Sequence, residues 1–349
     1  MIDLYAHDGS SLRSVPYEGL DHLPDASWLW LDVISDDLQE IAEVGAALGF
    51  DPLSIEDVVT DMLPKIDLYD DYRYLVIHGL TFTDDRIDTV EFDLFIADDV
   101  LVTFRPGEVD GVTSVRERLN SHLFGPTLTP AALAARIIDA GSRRFPNLIE
   151  ALEERIEDLE ELAMQADNSV IGEALALRRD VIVLRRVFGP QRDVLAMLSR
   201  DETLDIGSRR AFADVFDHHF RFVESLDSAR ALIGSVQETH RGAIAAHTNE
   251  VMKVLTVFSA IMLPLTLLTG IWGMNVSLPF AESPAAFRYV VGGMTVLAVG
   301  LWLYFARRRF IGGISLTRIP KAVGLTLAHL TAPIRPHPVA RRQDDQVRP

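Results

Sequence analysis

Asn249, Met252, Leu255, Ser259, Leu263 and Thr266 follow one another at steps of 3, 3, 4, 4 and 3 residues. On a helix that spacing places all six on one face. The face is chemically mixed: an amide, two hydroxyls and three large apolar side chains. A face that met only lipid or a coiled-coil partner would not need Asn249, Ser259 and Thr266. Several such helices around an axis would enclose a narrow apolar tube with polar rings at intervals. Rings of Leu255 and Leu263 would then be constrictions that stop ions by dewetting. The plainer alternative is that the hydroxyls only hydrogen-bond to neighbouring helices.

A short motif closes this stretch, Gly273-Met274-Asn275. Glycine admits a tight turn that a residue with a Cβ resists. Asn275 offers an amide oxygen. A ring of neutral amides accepts hydrogen bonds from the waters of a hard cation such as Mg²⁺, which dehydrates reluctantly. Such a ring holds the ion weakly enough to release it, as conduction requires. In isolation, Gly-x-Asn is an ordinary turn, and its position has to supply the rest of the argument.

That position is set by two uncharged runs, Val254–Ala281 and Tyr289–Ala306. About 20 apolar residues cross a bilayer as a helix, so the chain is expected to end in a membrane hairpin. Lys253 precedes the first run. Arg307, Arg308 and Arg309 follow the second, and the loop between holds only Glu282 and Arg288. The positive-inside rule then puts both termini in the cytosol and the loop outside, with Lys253 and the three arginines forming a basic ring at the boundary. Pro264, inside the first span, removes one helical hydrogen bond.

The elements upstream must carry this hairpin. Met1–Ala6, Trp28–Val33, Tyr72–Phe82, Thr89–Ala97 and Val100–Phe104 have strand-like composition. Asp36–Leu48, with Asp36 as N-cap, and Val109–Leu119 have helical spacing. From Pro130 the pattern is helical throughout, broken or kinked at Pro146, turning at Ala166–Ser169 and bent at Pro190. No proline occurs between Pro190 and Pro264. Phe212, Val215, Phe216, Phe222, Leu226, Ala229, Ile233 and Val236 recur as on a helix packed against others of its kind. A helix from Ser208 to Gly270 would be about 90 Å long and would need partners along its length. The expected organisation is an α/β domain at 1–125, a helical arm at 126–207, a stalk helix at 208–253 and a first span at 254–272. An external loop at 273–288, a second span at 289–306 and a basic tail at 307–349 complete it. Residues 314–330 read equally as an interfacial helix or as an unstructured extension.

Charge divides the same way. Residues 1–250 hold 48 acidic and 22 basic side chains; residues 251–349 hold 3 and 11. An acidic front argues against nucleic acid as a partner and attracts cations, although it also serves plain solubility. The chain has no cysteine, which excludes disulfides and thiolate metal sites. The N-terminus lacks a signal-peptide pattern. No phosphate loop, HExxH or nucleophile elbow occurs, so neither an enzyme nor an organic cofactor is expected.

The sequence resembles the CorA family of divalent-cation transporters. The likeness lies in Gly273-Met274-Asn275 at the end of the first of two C-terminal spans, in TNEVMKVLT (248–256) and in PLTLLTGIWGMN (264–275). It extends to IEDVVTDMLPKIDLYDDYRYLVI (55–77) and ADVFDHHF (213–220). The resemblance implies a funnel-shaped homopentamer in the cell (inner) membrane, with an α+β cytosolic domain, a helical arm and a stalk helix that lines the pore. It implies that Asn275 forms the outer selectivity ring, shaped by Gly273 and Met274, and that Asn249, Met252, Leu255, Leu263 and Thr266 of the stripe line the pore. It further implies that cytosolic Mg²⁺, also the substrate, bridges Asp214 and Asp85 of neighbouring subunits and holds the pore closed; Asp84 competes with Asp85 for that match. Two departures stand out: the VSLPFAESP loop keeps only Glu282, and the tail is long. The zinc transporters of the ZntB type share the build but often carry valine at the position of Met274, which favours Mg²⁺, with Co²⁺ or Ni²⁺ as further cargo. A proton-coupled Zn²⁺ transporter and a non-conducting membrane-anchored scaffold are the alternatives.

Overall fold

The computed structural model describes residues 1–83, 86–119, 127–274 and 285–308. It divides into two compact units, Met1–Ile244 and Ala245–Pro349.

The first unit is built on a seven-stranded sheet: β1 (Ile2–His7), β2 (Leu12–Val15), β3 (Trp28–Ile34), β4 (Lys65–Leu68), β5 (Tyr72–Thr83), β6 (Arg86–Ala97) and β7 (Val100–Arg105). The strand order is β2-β1-β3-β7-β6-β5-β4. Every pair is antiparallel except β3 with β7 at the centre. All six residues of β7 are buried, as befits a strand covered on both faces, and this is why alternation in the sequence is only partial. Asp32 and Arg105 fix the parallel register. The guanidinium donates to both carboxylate oxygens, at 2.9 and 2.8 Å, and both side chains are fully buried.

One face of the sheet is covered by α1 (Leu38–Ala47) and α2 (Pro52–Val58). The N-cap of α1 is Asp37, whose carboxylate accepts from the Gln39 N–H, rather than the expected Asp36. β2, β4 and α2 were not legible as elements: two are four-residue strands and the third a seven-residue helix, all too short to show a period. Asp51 caps α2, and Pro52 supplies its preset first turn.

The other face is covered by α3 (Asp110–Glu117) and α4 (Pro130–Ser142), with the ends of two longer helices. α3 and α4 meet backbone to backbone. A Cβ on Gly111 would lie 2.3 Å from the Ile137 carbonyl oxygen, so only glycine fits there. The chain breaks before Pro146, and α5 (Phe145–Met164) starts afresh with that proline in its first turn. Ala166, at φ 56°, reverses the chain into α6 (Ser169–Leu198), which runs through Pro190 as one helix.

α7 spans Ile206–Trp272, 67 residues, about 100 Å at 1.5 Å per residue. Its apolar positions Phe222, Leu226, Ala229, Ile233 and Val236 are buried in one cluster with Leu148, Leu152 and Ile156 of α5 and Val181, Leu184 and Phe188 of α6. The stalk positions that suggested packing between copies are therefore covered by the chain itself, Phe222 to Val236 by the arm and Phe212, Val215 and Phe216 by the core under the sheet. The acidic side chains of α5 form its solvated face.

In the second unit α7 continues to Trp272, and α8 (Ala286–Arg307) follows. Both carry windows long and apolar enough to cross a membrane, with mean hydropathy 2.1 and 1.7. Among the described residues of this unit only Val257 and Ala286 are buried. Apolar side chains this exposed require lipid, further protein, or both.

Candidate functional site

Asn249, Met252, Leu255, Ser259, Leu263 and Thr266 all fall on α7, downstream of the segment sheathed by α5 and α6. All six are exposed, Leu263 at 71% and Met252 and Leu255 at 57%. α7 keeps them in helical register through Pro264. The Thr266 hydroxyl donates to the Met262 carbonyl at 2.8 Å. Its proton is thus used within the helix, and the oxygen turns lone pairs outward to accept from water. Thr269 does the same towards the Thr266 carbonyl at 2.9 Å. Both threonines thus donate within their own helix rather than to a neighbouring one, and this is compatible with a polar ring, because donation leaves the oxygen its acceptor side.

Gly273 does not sit in a left-handed turn, contrary to the conformational reason expected for it; among the described residues the positive-φ glycines are Gly9, Gly19 and Gly49. Its N–H donates to the Thr269 carbonyl at 2.9 Å, adding a last helical hydrogen bond. A Cβ at 273 would lie 3.1 Å from that carbonyl oxygen. Glycine here serves close backbone approach at the helix end. Met274 follows, 57% exposed. Asn275 and Arg309 lie outside the described residues, as do Asp84 and Asp85. Lys253, Arg307 and Arg308 are exposed at the polar ends of the two apolar helices.

Asp214 is exposed on α7, far from the apolar stretch in sequence, and lines an open groove against α4. Asp139, Asp217 and His218 share the groove with Arg136, Arg210 and Arg221. Asp139 and His218 are paired, Oδ1 to Nδ1 at 3.0 Å. Among the described residues no group of three acidic or histidine side chains is placed to hold a metal. Asp214 alone supplies one ligand, so a cation there would have to take the others from water or from another chain. The readable signal for the groove was the i, i+3, i+4 spacing of Asp214, Asp217 and His218; Asp139, the partner of His218, arrives from 79 residues upstream, which spacing does not reveal.

A second acidic cavity, not anticipated, lies on the α1–α2 face of the sheet and is lined by Asp36, Asp61, Glu91 and Asp93. Glu91 accepts from the Met62 N–H at 2.8 Å. Burial pushes its carboxyl up to about 7, with Asp61 and Asp57 adding to the rise. Burial likewise raises Asp93, against the hydrogen bond it accepts from Tyr74. His78 Nε2 reaches the Met62 carbonyl at 2.8 Å, and burial lowers its pKa.

Comparison with known proteins places this geometry. The family profile described as CorA-like Mg²⁺ transporter protein matches residues 25–308. YfjQ of Bacillus subtilis is 30% identical over 302 residues, 85% of this chain and 94% of its own. The zinc transport protein ZntB of Yersinia enterocolitica is 27% identical over 313 residues, 86% of this chain and 93% of its own. The structure of the CorA magnesium transporter from Methanocaldococcus jannaschii superposes with a TM-score of 0.75 at 20% identity, over 88% of this chain and 98% of that one. That likeness carries the fold: a soluble α/β domain, a long helix and two C-terminal candidate transmembrane helices. With the profile covering well over half of its length, this chain belongs to the CorA family of divalent-cation transporters, which are ion transporters and not enzymes.

Proposed function

We propose that this protein is a channel-type transporter that admits Mg²⁺, with Co²⁺ or Ni²⁺ as further cargo, down its electrochemical gradient. The carrying observation is α7 itself. One unbroken helix bears the six-position stripe, with every member exposed, and ends at Gly273-Met274. In this reading five copies of α7 surround a pore in the cell (inner) membrane, both termini cytosolic, with Asn275 as the outer ring of amide oxygens. Leu255 and Leu263 are the dewetting constrictions. Lys253 and Arg307–Arg309 ring the cytosolic boundary. Cytosolic Mg²⁺ bound by Asp214 and Asp85 of neighbouring copies holds the pore shut. The open groove supports this last step, because Asp214 and Asp217 are exposed along it. A membrane potential of 100 mV favours entry of a divalent ion by about 4.6 kcal/mol, so no coupled reaction is needed.

A proton-coupled Zn²⁺ transporter is the second reading, favoured by the likeness to ZntB, comparable in extent to the others. Ion flux into liposomes carrying the purified protein separates the two. Mg²⁺ entry that ignores a pH gradient and collapses in Asn275→Ala supports the first reading. Zn²⁺ entry that requires the gradient establishes the second. A protein indifferent to Asn275→Ala in both assays does not conduct through this ring.

A further inference from the structure

The polar end of α8 sets two of the boundary arginines beside apolar neighbours on one face. Gly300, Leu303, Tyr304, Arg307 and Arg308 stand at i, i+3, i+4, i+7 and i+8 and line one open groove. At Gly300 the groove is notched: a Cβ there would meet nothing within 4 Å. Leu303 and Tyr304 are about half exposed, at 49% and 54%. The Arg308 guanidinium lies 5.8 Å from the centre of the Tyr304 ring. A guanidinium held over an aromatic ring keeps five N–H donors in a fork that matches a planar or tetrahedral anion. Arg307 stands beside it, exposed.

We infer that this face seats one anionic phospholipid, its phosphate on Arg307 and Arg308 and the upper part of an acyl chain along Tyr304, Leu303 and the Gly300 notch. Charge selects the occupant. Between Val251 and Arg309 the only acidic residue is Glu282, in the loop between the two spans. The membrane segment of another copy therefore brings no carboxylate to the arginines. Dimensions agree as well. The seven steps from Gly300 to Arg307 make about 10 Å of helix, more than the about 5–8 Å interfacial layer of one leaflet, so the Gly300 end reaches acyl-chain depth when the arginines sit at the headgroups. The inference rests on α8 being a membrane span and is independent of which ion is carried.

The test uses the full-length protein in detergent, analysed by native mass spectrometry with phosphatidylglycerol or phosphatidylcholine of identical chains, and separately with inorganic phosphate. Phosphatidylglycerol should be retained preferentially. Arg307→Gln and Arg308→Gln should each lower its retention about fivefold, while Arg288→Gln, at the other end of α8, should not. Gly300→Leu, which fills the notch without changing charge, should lower retention of both lipids. An unchanged oligomer mass in each variant shows that the fold survives. Equal retention of the two lipids overturns the proposal. So does displacement of phosphatidylglycerol by millimolar inorganic phosphate, a loss in Arg288→Gln as large as in the other two, or full retention in Gly300→Leu. A rise in retention in Glu250→Gln would show the arginines already paired with that acid and would overturn it too.

Discussion

His219 shows how one residue records its surroundings. The Gln191 side chain accepts from the His78 N–H at 2.8 Å and donates to the His78 carbonyl at 3.1 Å. Its amide nitrogen also stands 2.9 Å from His219 Nε2. An amide nitrogen only donates, so Nε2 accepts, and Nδ1–H donates to the Val215 carbonyl at 3.0 Å. The imidazole is held neutral, and burial lowers its pKa to about 4. A group depressed below its unfolded value of 6.5 stabilises the fold above pH 6.5 and loses that contribution as pH falls through 4. Thermal stability should therefore fall, read as a lower melting temperature, as pH drops between those values. His219→Phe should flatten this dependence while costing about 1–3 kcal/mol at pH 7 through the orphaned Gln191. Glu91 works in the opposite sense. Its raised carboxyl favours the fold below pH 4.5, and that advantage is lost as pH rises through about 7. Glu91→Gln should be the more stable protein at pH 8, read as a higher melting temperature, and indistinguishable in this respect at pH 4.

At the scale of elements, two close approaches carry opposite expectations. Gly111 lets α3 touch α4. Gly111→Val drives a side chain into the Ile137 carbonyl, which belongs to the backbone and cannot swing aside. Overpacking costs about 1–3 kcal/mol even where side chains can yield, and the urea midpoint should fall by at least that equivalent. α7 has the reverse character beyond the reach of α5 and α6, where its side chains are open. Leu263→Ser should leave the melting temperature of the first unit unchanged and raise flux at high cytosolic Mg²⁺, because a polar ring wets more readily than a leucine ring. Unaltered flux would remove Leu263 from the constriction.

For the whole molecule, the open question is what covers the apolar length of α7 and α8. The arm accounts for the stalk from Phe222 to Val236, so the need for partners begins later on the helix, in the second unit. If copies associate with cytosolic Mg²⁺ between Asp85 and Asp214, replacing both with lysine should weaken closure at high Mg²⁺ and increase proteolysis there. Gating and proteolysis that match the unchanged protein would exclude these two residues.

The amino-acid sequence by itself determined what depends on local order: helical period, apolar length, charge asymmetry and the triplet that ends the first span. These rest on neighbours three or four residues apart, or on runs of 20. Hence the two long apolar helices, the register of the stripe on α7 and the break before Pro146 were legible. Tertiary structure decided what depends on residues distant along the chain. It paired Asp139 with His218, brought Glu91 and Asp93 to one cavity, set β3 parallel to β7 through Asp32 and Arg105, and turned the stalk's apolar positions from Phe222 to Val236 onto the chain's own α5 and α6. The same apolar period serves a helix from this chain or from another copy, because burial has no direction. Only the folded arrangement says which of them arrives.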